Sequence, residues 1–134
     1  KKLKKLASEK KLKIKFMKPI YEKNKKDKLF DNYDLLILPT KNDPFGMVIL
    51  ESMARGLPVL TNKNTQWSEI KNYNAGWYID PDIYTLKNTL KKIFYLNKNE
   101  FIKKSANSLN LARKYSWDII SKKYRLMYLS LIYK

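Results

Sequence analysis

The sequence contains neither cysteine nor histidine. That double absence excludes disulfides, thiolate nucleophiles, imidazole bases and Cys/His metal sites together. Chemistry on this chain must come from carboxylates, hydroxyls, backbone amides and cations. Arginine is scarce, at Arg55, Arg113 and Arg125, although Lys plus Arg number 29 against 12 Asp plus Glu and the net charge is +17. A surface built to read nucleic acid gathers its cations on one face. Here the lysines are spread through every helical stretch, so no nucleic-acid partner is expected. No segment is long and apolar enough for a membrane span, and no apolar run follows the opening Lys1-Lys2-Leu3-Lys4-Lys5-Leu6 as a secretory signal requires. That opening, which lacks a starting methionine, reads as the tail of a helix that begins elsewhere.

With 134 residues, 44% of them hydrophobic, the chain suits one compact domain with a sizeable core. Apolar runs alternate with amphipathic stretches. Leu12–Met17 alternates with period two, as a half-covered strand does. Tyr21–Phe30 is polar and suits a surface helix. Asp34–Pro39 is a short continuous apolar run, expected of a strand covered on both faces. Phe45–Arg55 predicts a helix stopped by Gly56. Leu57–Thr61 and Gly76–Ile79 predict two more strands, with a short helix at Trp67–Tyr73 between them. Helices are predicted over Ile83–Leu96, Glu100–Lys114 and Trp117–Tyr133, the last capped by Ser116. The alternation argues for an α/β domain with a Rossmann-like parallel sheet layered with helices and a helical C-terminal tail.

The segment from Leu38 to Val59 carries the chemistry: strand, loop, helix, tight stop, strand. In open α/β sheets the ligand crevice lies at the carboxyl ends of the strands, where the next helix offers free N–H groups. Gly46 lets the backbone approach an anion with no side chain in the way, and the partial positive charge at the helix start favours a diphosphate. Glu51 interrupts a helix that is apolar nearly all round, which is costly for an unpartnered carboxylate. Two partners suit it: Arg55 one turn on, or the adjacent hydroxyls of a ribose. Asp43 likewise has two readings, a helix N-cap with Pro44 at the first helical position, or an acceptor for a sugar hydroxyl at the mouth of that helix.

The wording Pro39-Thr40, Asp43, Phe45-Gly46, Glu51, Ser52-Met53-Ala54, Gly56 and Pro58-Val59 resembles the family-four retaining glycosyltransferases of the GT-B type. The second acid there falls eight positions after the first, as Glu51 does after Asp43. Ser68-Glu69-Ile70, Asn74 to Asp80 and Tyr115-Ser116-Trp117-Asp118 match weaker landmarks. Thr65 to Glu69 and Gly76-Trp77-Tyr78 are most similar to bacterial surface-polysaccharide and lipopolysaccharide transferases. The resemblance covers Leu12 to the C-terminus and implies the C-terminal, donor-binding half of a GT-B fold, truncated at its N-terminus. It implies that Glu51 binds the ribose of a nucleotide-diphospho-sugar and that Asp43 touches the donor sugar. Backbone amides around Phe45, Gly46, Met47 and Val48 would hold sugar hydroxyls and the diphosphate. Thr40 joins the same loop, and Ile20 lies near the base.

Two departures stand out: Asp43 is one methylene shorter than the family's glutamate, and Lys18 stands where a glycine usually opens the base loop. Asp80-Pro81-Asp82 spells an acid-x-acid pattern, but a turn and a helix N-cap before Ile83 account for it. GT-B enzymes need no bound metal, so neither metal nor cofactor is expected. The expected reaction transfers a sugar, with retention, to a glycan or lipid-linked acceptor held mainly by an N-terminal domain outside this sequence. By itself the chain is therefore expected to be inactive and to bind donor weakly. A cytoplasmic location follows, with positive charge suited to peripheral contact at the inner membrane face. The exposed stripe of the last helix, Met127, Leu131 and Ile132, is expected to favour association. Rival classes are a basic nucleic-acid-binding module and a GT-B enzyme of other chemistry, an epimerase or a phosphorylase.

Overall fold

A computed structural model describes residues 2–133. Its elements run α1 (Lys2–Glu9), α2 (Lys23–Asp31), β1 (Leu36–Leu38), α3 (Met47–Met53), β2 (Val59–Asn62), α4 (Glu69–Asn72), β3 (Gly76–Ile79), α5 (Ile83–Phe94), α6 (Lys98–Arg113) and α7 (Trp117–Ile132). The opening is helical as expected from Lys2; Lys1 lies outside the described residues. The three strands form one parallel sheet in the order β1-β2-β3, with Leu36 opposite Val59 and Val59 opposite Gly76. All four residues of the central strand β2 are buried, which suits the apolar wording of a strand with neighbours on both edges.

The core gathers around β2. Ile49 and Met53 of α3, Val59, Trp67, Ile70 of α4, Ala75, and Leu111 and Ala112 of α6 form one buried cluster. Hydroxyls tie α6 to it: Ser108 Oγ donates to the Ala75 carbonyl at 2.7 Å, and Ser105 Oγ to the Gly56 carbonyl at 2.6 Å. Gly56 ends α3 as its position suggests. Its φ is +79°, and the Leu57 amide folds back on the Ser52 carbonyl at 3.0 Å. That left-handed turn suits glycine because no Cβ meets the backbone.

Three expectations fail, each for a physical reason. Leu12–Met17 forms no strand; it is irregular and exposed throughout. The Ile14 amide bonds to the Leu12 carbonyl two residues back, a tight local turn in place of a ladder. Alternation makes a segment fit for pairing, yet pairing requires a sheet edge. β1 is covered on one face only: Leu36 and Leu38 pack on the core cluster, whereas Ile37, whose side chain alternates to the other face, is 44% exposed. Finally, α3, though apolar nearly all round, is buried on one side only: Ile49, Ser52 and Met53 are buried, whereas Met47 is exposed and Glu51 half-buried on the other side, so Glu51 is not a core carboxylate. The helical tail α7 has no buried residue, and Trp117 is 83% exposed. Among the described residues no helix is long and apolar enough to cross a membrane.

Candidate functional site

The loop from Thr40 to Gly46 leaves the carboxyl end of β1 and enters α3. Its backbone is held from one side by the loop that leaves β2. Asn62 Nδ2 and Asn64 Nδ2 donate to the Thr40 carbonyl at 2.9 and 3.0 Å. The Gln66 amide donates to the Pro44 carbonyl at 2.9 Å, and the Trp67 indole N–H to the Phe45 carbonyl. Thus the carbonyls of Thr40, Pro44 and Phe45 all face donors of residues 62–67.

The amides of the same loop are spent differently. Gly46 N–H donates to Asp43 Oδ1 at 2.8 Å. Asp43 therefore does cap a backbone amide, but as a three-residue turn: the N-cap of α3 is Gly46 itself, at φ +59°, and Pro44 lies outside the helix. Among the described residues the amides of Phe45, Met47 and Val48 donate to no protein acceptor. A Cβ at Gly46 would come within 3.1 Å of Ile49 Cδ1, in addition to the left-handed strain.

Glu51 sits one turn into α3 on its open side, with about a third of its side chain exposed. It lines two neighbouring clefts. One, of about 540 Å³, is walled by Met47, Leu50, Arg113, Tyr115 and Trp117. The other, of about 530 Å³, is walled by Tyr21, Lys23, Lys26 and Arg55. The ion-pair partner of Glu51 is not Arg55. Lys26 Nζ lies 2.5 Å from Glu51 Oε1, and Arg55 turns away to both oxygens of Asp31, 2.5 Å from each. The Asp31 carboxylate bonds to the Arg55 guanidinium and holds it firmly protonated.

Thr40 is placed apart from Glu51. With Lys41, Asn62, Asn64 and Asp80 it lines a cavity of about 200 Å³ at the carboxyl edge of all three strands. Ile20 is half-buried in the irregular stretch before α2, and its neighbour Tyr21 reaches the Glu51 cleft. Asp82 caps α5 by accepting from the Thr85 amide at 2.8 Å, and that bond holds its carboxyl below the usual range; Asp80 pairs with Lys63. The acid-x-acid wording thus belongs to a turn and a cap, as its position predicts.

The structure adds Lys26, Gln66 and Trp67 to the residues picked from the sequence. Trp67 is 2% exposed and lies between Phe45 and Tyr115, tilted against each ring at centroid distances of 5.4 and 5.1 Å. Tyr115 donates its hydroxyl to Glu69, which also pairs with Lys114. Burial first, then that hydrogen bond, push the Tyr115 phenol up to about 12. The bond from Lys114, then that from Tyr115, hold Glu69 below the usual carboxylate range. In the sequence Trp67 stands out only as part of the wording from Thr65 to Glu69, which does not say what its indole reaches.

Parallel strands, carboxyl-edge loops and a helix-borne carboxylate define an α/β domain of the kind seen in the C-terminal part of GT-B folds, with a helical C-terminal tail. The chain belongs to the glycosyl transferases group 1 family, whose family model matches residues 1–114. Probable sucrose-phosphate synthase 1 of Oryza sativa subsp. indica is 34% identical over 85 residues, 62% of this chain and 8% of that protein. An uncharacterized glycosyltransferase of Methanocaldococcus jannaschii is 30% identical over 98 residues, 71% of this chain and 25% of that protein. Among solved structures, sucrose-phosphate synthase from Thermosynechococcus elongatus shares the fold, with a TM-score of 0.80 at 20% identity over 98% of this chain and 34% of that one. The chain therefore spans between 8% and 34% of the length of these relatives.

Proposed function

We propose that the chain holds the donor in a retaining glycosyltransferase, which moves a sugar from a nucleotide-diphospho-sugar to an acceptor hydroxyl. The observation that carries this is the placing of Glu51. Its carboxylate stands at the junction of two open clefts and not in the core, and α3, which bears it, begins at amides with no acceptor among the described residues. A carboxylate accepts two hydrogen bonds from a vicinal diol, so Glu51 takes the ribose. The amides of Phe45, Met47 and Val48 take the diphosphate and sugar hydroxyls, and Gly46 allows close approach. Asp43, with Oδ1 spent on Gly46, offers its second oxygen to the sugar. Thr40 completes the loop, and Ile20 stands toward the base. Amides aimed at a leaving diphosphate stabilise its growing charge without reorganising.

No metal or cofactor enters this mechanism. The acceptor, a glycan or a lipid-linked sugar, is held mainly by polypeptide outside this sequence. The wording around Trp67 and Trp77 favours synthesis of cell-surface glycan in a bacterial cytoplasm, and the net charge of +17 suits peripheral contact at the membrane. The likeness to proteins named sucrose-phosphate synthase supports a second reading in one respect only: a phosphorylated monosaccharide belongs among the acceptors tried.

The test is a donor-binding screen on the full-length protein with UDP-, GDP- and ADP-sugars, comparing wild type with Glu51→Ala. Loss of two hydrogen bonds to a charged acceptor predicts affinity weaker by about tenfold or more. A folded Glu51→Ala protein that binds donor as wild type does ends the proposal.

A further inference from the structure

The end of β2 and the loop that follows it hold the backbone of the candidate-site loop at four points. Asn62, Asn64, Gln66 and Trp67 each donate to a carbonyl between Thr40 and Phe45. A free carbonyl presents negative charge, which repels a diphosphate; a carbonyl turned to an internal donor does not. We infer that Trp67 is a positioning residue, whose indole N–H anchors the Phe45 carbonyl so that the amides of Phe45, Met47 and Val48 stay available to the donor's diphosphate. This rests on the donor-binding reading of the same loop.

Three observations make Trp67 the centre of that clamp. Its N–H reaches the carbonyl that immediately precedes Gly46, the residue whose left-handed backbone turns the chain into α3. Its ring is buried and wedged between Phe45 and Tyr115, so the indole has little freedom to leave. Tyr115 is itself fixed by Glu69, which follows Trp67 by two residues and pairs with Lys114. The α6–α7 junction, α4 and the donor loop are thereby joined through one indole. A phenylalanine would fill much of the same space between Phe45 and Tyr115 and would lose the donor, which separates packing from positioning.

The experiment compares wild type, Trp67→Phe and Tyr115→Phe in the full-length protein. Binding is measured to uridine, UDP and UDP-glucose, and to the guanosine and adenosine series. Trp67→Phe is expected to leave the nucleoside affinity unchanged, because ribose is held by Glu51, and to weaken diphosphate and sugar-nucleotide binding by about tenfold. Tyr115→Phe is expected to lower thermal stability and to preserve the nucleoside-to-diphosphate ratio. Without ligand, amide exchange in Trp67→Phe should quicken at Gly46 and Gln66, the two amides hydrogen-bonded within the clamped loops, while β2 stays protected. Equal weakening of all probes, or unchanged exchange at Gly46 and Gln66, makes Trp67 a packing residue and overturns the proposal. Wild type that binds none of the probes removes the donor reading itself, and the exchange result still reports whether the clamp exists.

Discussion

Lys26 Nζ lies 2.5 Å from Glu51 Oε1, across 25 residues of sequence; Glu51 lines both clefts and Lys26 one of them. One oxygen of Glu51 is thereby oriented by α2, and the other has no partner among the described residues. A half-exposed pair of this kind contributes little stability, so Lys26→Ala should lower it by about 1 kcal/mol or less. The ligand effect should be larger than the stability effect. Charge reversal, Lys26→Glu, sets a second carboxylate against Glu51 and against an incoming diphosphate. Donor binding in Lys26→Glu should fall well below that of Lys26→Ala, and the gap should narrow as salt is raised. Titration at two ionic strengths decides it.

How far the sequence reveals this architecture depends on whether a feature is local. The Gly56 stop, β3 at Gly76–Ile79 and the Asp82 cap follow from residues within one turn of each other, and they stand where expected. The partner of Glu51 does not. Spacing along α3 points to Arg55, whereas α2 brings Lys26 to Glu51 and Asp31 to Arg55. Leu12–Met17 fails for the same reason in reverse: its alternation is that of a strand, but no edge of the sheet takes it up. Asp43 is readable as a backbone cap, though not which amide it caps. Trp67 carries its meaning in the carbonyl it reaches, 22 residues away.

Gly76 is required by a close approach between strands. A Cβ there would stand 2.1 Å from the Val59 carbonyl oxygen, and backbone cannot give way as a side-chain tip can. Gly76→Ala should cost about 3 kcal/mol or leave the protein unfolded. At Gly56 the same change meets Ser105 Oγ at 3.3 Å and a positive φ, so strain of about 1–2 kcal/mol is expected. Chemical denaturation of the two variants should rank them in that order.

The Glu69–Tyr115–Lys114 cluster predicts how stability depends on pH. The carboxyl of Glu69 is held below its ordinary value, chiefly by Lys114. Its contribution is complete above that ordinary value and is lost as pH falls through the folded one. The Tyr115 phenol is raised from 10.0 to about 12, so its contribution is complete below pH 10 and fades as pH climbs toward 12. Glu69→Gln should melt lower than wild type at pH 7, and the two curves should converge below the ordinary glutamate range. Melting temperatures from pH 3 to 8 check the sign; a difference that persists undiminished at pH 3 refutes it.

Asp43 combines a backbone role with a chemical one, and two substitutions separate them. Oδ1 accepts from the Gly46 amide at 2.8 Å and so closes the turn before α3. Asp43→Asn keeps an oxygen in that place, so stability should match wild type; Asp43→Ala loses the bond and about 1 kcal/mol with it. If the carboxylate also meets the donor sugar, its charge and its second oxygen are needed, and both variants should lose turnover by about tenfold or more. If the residue serves only the turn, Asp43→Asn remains active while Asp43→Ala alone declines. Turnover of the full-length enzyme beside its denaturation midpoint distinguishes the two, since the amide preserves the turn and removes the charge and the second acceptor oxygen.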